Sequence, residues 1–263
     1  MSAVEAVLRR ERAVVALAML ALAALAWLYL WRGAGMGMPA LHMTSLAFFP
    51  HLQPAAAGEM PAHYPMVAAM WWVMMIAMMT PSVAPLVLLY GRVMRHHGEY
   101  ASAAPGCSIA LLSGYLAVWA GFALAAASIQ ALLQSSGLTS SMMLWSQSVF
   151  LSAGVLALAG IYQLTPLKRA CLAQCRGPVQ FLTRHWRPGR AGAFRMGVLH
   201  GAYCVGCCWL LMALLFVGGV MNLAWIAALS VLVLAEKLSP AGPAIGIASG
   251  IVLLAWALAT LLV

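Results

Sequence analysis

The chain has 263 residues, 65% of them hydrophobic and 7% charged, with a mean hydropathy of +0.95 and a net charge of +9. A soluble domain carries roughly 25% charged residues, so the composition excludes ordinary soluble classes and predicts an all-α, polytopic transmembrane helix bundle in one domain. Asp is absent and Glu occurs five times, which removes P-type ATPase chemistry and most paired-carboxylate hydrolysis. Walker, Rossmann, H-E-x-x-H and G-x-S-x-G patterns are missing as well.

Seven apolar stretches approach the roughly 20 residues needed to cross a bilayer. They are 13–31, 66–90, 109–132, 145–166, 196–217, 221–237 and 244–263, and the sixth is short enough that six spans is the alternative. With the N-terminus cytoplasmic, thirteen Lys and Arg fall inside and only Arg32 falls outside, a strong positive-inside bias. The basic charge therefore sets topology and does not mark a nucleic-acid partner. The expected surrounding is a lipid bilayer, and the expected location is a bacterial inner membrane.

The first span follows Arg9, Arg10 and Arg12. Its apolar run is longer than the 7–15 residues of a signal-peptide core and no clear A-x-A site follows, so an uncleaved helix is expected. Residues 32–65 form the one sizeable outside loop, with Met36, Met38, Met43, Met60, His42, His51, His63 and Glu59. Thioethers and imidazoles suit copper; the same loop also suits an amphipathic lid.

The second span places Met66, Met70, Met74 and Met78 at every fourth residue, flanked by Met75 and Met79. Such a stripe fills gaps in many cores, but thioether is also a good Cu(I) ligand. Pro81 and Pro85 then remove two backbone donors and are expected to interrupt the helix. His96, His97 and Glu99 follow in a solvated basic loop. Spans three and four read as scaffold, with Gly114, Gly121, Gly154 and Gly160 permitting close helix approach and Gln163 placed to bond across helices. The inside loop 167–195 carries Cys171 and Cys175 at a spacing compatible with metal binding, with His185 as a third candidate. It reads equally as an amphipathic segment on anionic lipid.

The fifth span, MGVLHGAYCVGCCWLLM, is the most unusual. At about 100° per residue with His200 as zero, Cys207 falls at about −20°, Cys204 at about +40° and Cys208 at about +80°. One imidazole and three thiols thus share one face of an apolar helix, where ionisable groups mark function by default. Glu236 and Lys237 close the sixth span, and Glu236 is a candidate to orient His200 or complete its site; an interfacial Glu236–Lys237 pair, with Lys237 snorkelling, is the plainer alternative. The candidate metal ligands are His200, Cys204, Cys207, Cys208, Met74, Met78 and Glu236. One helix cannot surround an ion, so partners from the second or sixth span are required.

The segments MWWVMMIAMMTPSVAPLVLLY, YQLTPLKRACLAQCR and HGAYCVGCCWLLMALLFVGGVMNLAWIAALSVLVLAEK carry a resemblance. Together they make the chain resemble a bacterial family of predicted metal-binding integral membrane proteins without an established reaction. The resemblance implies a helical inner-membrane protein with a metal site and no more. The residues favour a protein that binds Cu(I), ahead of zinc, for transfer or homeostasis, with a periplasmic or membrane metalloprotein as the acceptor. One rival is a transmembrane thiol–disulfide conduit using Cys204 and Cys207, against which no second Cys-bearing span is evident. The other is a structural subunit of a larger membrane complex. No side chain is placed as a convincing general acid or base, which points away from an enzyme.

Overall fold

The computed structural model describes residues 3–34, 44, 63–96, 103–137, 139, 146 and 148–262, with side chains described from residue 13 onward and not at His96. Of the loop histidines and methionines, His63 alone is among them; Met36, Met38, His42, Met43, His51, Glu59 and Met60 lie outside the described residues, as do His97 and Glu99. The described residues are helical, apart from turns and one isolated bridge between Thr139 and Ser146.

The helices in chain order are α1 (Ala3–Trp31), α2 (Tyr64–His96), α3 (Ala104–Ser135), α4 (Val149–Leu164), α5 (Pro166–Arg176), α6 (Pro178–His185), α7 (Gly189–Ala213), α8 (Leu215–Gly218), α9 (Leu223–Leu238) and α10 (Gly242–Leu262). Five segments are long and apolar enough to cross a membrane: Ala13–Trp31, Tyr64–Arg95, Ala104–Ser135, Gly189–Gly218 and Gly242–Leu262. A sixth arises if α4 and α5, bent by 67°, act as one broken or re-entrant unit. The stretch 221–237 folds as α9, whose 16 residues reach only about 24 Å at 1.5 Å per residue, short of a bilayer core of about 30 Å.

The stretch read as a basic inside loop, 167–195, is mostly helix. Its start is written locally: the Thr165 side chain caps α5 by accepting from the Lys168 amide, and Pro166 takes the first turn, where its missing N–H is harmless. That start is also why the fourth span ends at Leu164 and the chain turns. Pro178 opens α6 in the same way, and α7 begins at Gly189, seven residues before the expected span. The expected interruption of the second span does not occur, since α2 continues through Pro81 and Pro85. Hydroxyls of Ser82 and Tyr115 donate to the Met79 carbonyl beside these prolines, at 2.9 and 3.4 Å.

The core is built by α2, α3 and α7, with α1 against α2, and α4 against α10 on the far side. Small residues set the closest approach. A Cβ on Gly197 would stand 1.9 Å from the Leu111 carbonyl oxygen, and one on Gly114 2.2 Å from that of Phe194, so α3 and α7 touch backbone to backbone. Gly160 similarly admits α10, whereas Gly121 and Gly154 face open space.

Candidate metal centre

Four elements converge on the cysteine face of α7. His200, Cys204, Cys207 and Cys208 are all buried, as the helical spacing requires. The thiols of Cys207 and Cys208 each donate to the Cys204 carbonyl, at 3.1 and 3.0 Å, the bond that a thiol near the preceding turn makes when it has no better acceptor. The Cys204 sulfur has partners on other helices. It lies 2.9 Å from the Tyr115 hydroxyl on α3 and accepts from the Lys237 ammonium on α9 at 2.8 Å. Lys237 also reaches the Ser82 hydroxyl on α2 at 3.4 Å, and Ser82 is 3.2 Å from Tyr115. The lysine that one of the two readings sends to the membrane surface is turned inward and 5% exposed.

The second surprise is α5. The 67° bend after α4 folds this short helix against α7, which brings the Cys175 sulfur to 4.0 Å from that of Cys207. Cys171 sits against Gly206, where an added Cβ would meet its sulfur at 3.0 Å. The sequence therefore does hold a second Cys-bearing helix at the site, although not as a separate full span. All six cysteines are free thiols.

Glu236 goes elsewhere. Its carboxylate accepts from Lys168 at 2.6 Å and from Gln163 at 2.8 Å, with Ser249 at 3.5 Å. Lys168 and Glu236 are each 1% exposed, a buried ion pair joining α5 to α9. The Arg176 guanidinium adds bonds to the carbonyls of Glu236 and Pro240, at 2.8 and 3.1 Å, satisfying the orphan acceptors at the C-terminal end of α9 with a cation. The expected Glu236–His200 contact is not made, because α5 brings a lysine to the carboxylate first. Gln163 does bond across helices, as anticipated.

His200 lies one turn before Cys204. Its ring packs edge-on against Phe181 of α6, with centroids 4.9 Å apart, and at 6.0 Å from Tyr115. Its Nδ1 has no hydrogen-bond partner, so an imidazole nitrogen stands available beside the thiols. Met74 and Met78 are fully buried in α2, with Met70, Met75 and Met79; the stripe faces protein. Among the described residues no three His, Cys, Asp or Glu side chains are drawn in tightly enough to hold an ion. The donors are gathered, but two thiols are turned to a carbonyl and would have to rotate to close on a metal. Sequence reasoning missed Lys237, Tyr115 and Ser82 as neighbours of the thiols. Intramembrane lysine beside a cysteine helix was the available signal.

Apolar helices of membrane-spanning length, enclosing thiols and thioethers beside a buried ammonium, have donor groups that suit soft metals. The chain belongs to the copper chaperone family PpoB2, which it matches over residues 68–260, that is 193 of its 263 residues. The matched region runs from α2 into α10 and includes all six cysteines, Met74, Met78, Lys168, Glu236 and Lys237. No curated protein and no solved structure matches the chain.

Proposed function

We propose that the chain is a multi-pass membrane protein that binds Cu(I) inside the bundle and hands it to an acceptor protein. The observation that carries this reading is the approach of Cys175 to Cys207, on the helix face that also carries Cys204 and Cys208, beside Lys237. With metal–sulfur bonds of about 2.3 Å, two sulfurs at 4.0 Å subtend an angle of about 120° at a shared ion. Such an angle suits three-coordinate Cu(I), with a third thiol or a thioether completing the set.

Charge balance supports copper over zinc. Lys168 and Glu236 neutralise each other, which leaves the Lys237 ammonium as the buried charge at the thiols. Two thiolates around Cu(I) carry one negative charge, and Lys237 cancels it. Zn²⁺ reaches the same balance only with three thiolates, so a set of two thiolates completed by a thioether favours copper, since an uncompensated buried ammonium is penalised. Before loading, the ammonium occupies the place beside Cys204 that a metal cation would take. Met74 and Met78 would pass the ion toward the loop methionines and histidines, with the N-terminus and the basic ends on the cytoplasmic side.

The direct test is metal analysis of anaerobically purified protein, beside Cys204→Ser/Cys207→Ser/Cys208→Ser and Cys175→Ser variants. Roughly one copper per chain, lost in the triple variant and held more weakly by Cys175→Ser, is the expected result. Zinc in its place would keep the site and discard the copper assignment. No metal in reduced, copper-supplied protein would sink both.

The Cys175–Cys207 approach across two helices also favours one second reading, a dithiol couple. Two thiols would surrender two electrons and two protons to a partner protein's disulfide. A midpoint potential that vanishes in Cys175→Ser while copper binding persists would select it.

A further inference from the structure

A separate site lies where α6 meets the start of α7. Arg184, His185, Trp186, Arg187 and Arg195 line a pocket of about 280 Å³. The three guanidiniums are exposed, and none forms an ion pair among the described residues. His185 is fixed by a contact of its Nδ1 with the Phe181 carbonyl at 3.1 Å, and the Trp186 ring is packed on Tyr90 of α2 with centroids 5.3 Å apart. Two packed rings and three exposed arginines thus line one pocket.

On the other side of Trp186 runs an apolar groove of about 330 Å³, lined by Leu89, Val93, Val179 and Leu182. The two cavities share Trp186. A basic pocket adjoining an apolar channel across an aromatic side chain is the chemical image of an anionic phospholipid: phosphate at one end, acyl chain at the other. Arginine forks match phosphate oxygens, and an amphipathic tryptophan suits the boundary between headgroup and hydrocarbon.

We infer that this site binds one anionic phospholipid, its phosphate among Arg184, Arg187 and Arg195 and an acyl chain between α2 and α6. The inference rests on reading the chain as membrane-embedded. It is independent of the thiol chemistry, though α6 also presents Phe181 to His200, so an occupied site would brace the element that covers the imidazole.

Native mass spectrometry of the full chain in neutral detergent tests it, with phosphatidylglycerol, phosphatidylcholine and inorganic phosphate as probes. Phosphatidylglycerol should be retained at one per chain over phosphatidylcholine. Arg184→Gln/Arg187→Gln/Arg195→Gln should lower its retention roughly a hundred-fold, from three surface-basic contributions. Val179→Trp, filling the groove, should weaken the lipid and leave phosphate binding unchanged. Arg195→Gln alone should show a partial loss if the triple variant does not fold, and Arg32→Gln should show none. Equal retention of the two lipids, or retention unchanged in the arginine variants, would overturn the site. Displacement by inorganic phosphate with no effect of Val179→Trp would reduce it to a free-anion site. A chain recovered without detergent would instead overturn the membrane reading itself.

Discussion

Lys237 is the residue on which the chemistry turns. Its ammonium bonds the Cys204 sulfur at 2.8 Å in an interior where an unpaired charge is expensive. Removing it should therefore damage metal binding before it damages shape. Lys237→Met should lower Cu(I) affinity by about a hundred-fold or more, since breaking a buried charge pair costs about 3–5 kcal/mol; Lys237→Arg should retain most of it. Competition with a chromogenic Cu(I) chelator reads both, and an unchanged Lys237→Met would refute the charge balance. The spacing of His200, Cys204, Cys207 and Cys208 was legible in the sequence because one helix's own periodicity fixes it. The partners of Glu236 and Lys237 were not, because adjacency at the end of one helix says nothing about which helix lies opposite. A snorkelling Lys237 is one of the two readings the sequence allows; the structure turns it inward, onto Cys204.

Among the elements, α3 and α7 pack backbone to backbone, and α5 is the most consequential. Gly197 meets the Leu111 carbonyl so closely that Gly197→Ala must push the helices apart. Overpacking of this kind costs about 1–3 kcal/mol. It should lower the thermal midpoint and loosen the Tyr115–Cys204 contact, read as faster alkylation of Cys204 by a small maleimide. Alkylation at the wild-type rate would mean that α3 does not cover the thiol. The small-residue signal was legible at Gly114 and Gly160 but silent on which glycines touch anything, since Gly121 and Gly154 meet nothing. For α5 the sequence held its start, Thr165 and Pro166, and its C-x₃-C. A basic amphipathic helix, however, reads the same whether it rests on lipid or folds beneath a bundle. The buried Lys168–Glu236 pair decides that question. Glu236→Gln should leave Lys168 without its countercharge and cost about 3–5 kcal/mol, seen as loss of detergent-resistant folding; Lys168→Met/Glu236→Leu together should recover most of it.

At the scale of the molecule, hydropathy and charge gave the helical class, and the membrane-length segments agree with it. What they could not supply was the bend between α4 and α5 or the early start of α7, which depend on local caps and on tertiary docking. The family is one of copper chaperones, and the interior holds thiols and thioethers with a cation beside them. The ion pair that seats α5 also fixes an order of events during biosynthesis. Lys168 and Glu236 are 68 residues apart, so at about 5–20 residues per second α5 emerges several seconds before its carboxylate exists. Until then only packing against α7 holds Cys175 near Cys207. A nascent chain arrested before residue 236 should thus carry every cysteine and yet hold α5 without its ion pair, so that the proposed copper site would be completed only once α9 has been made.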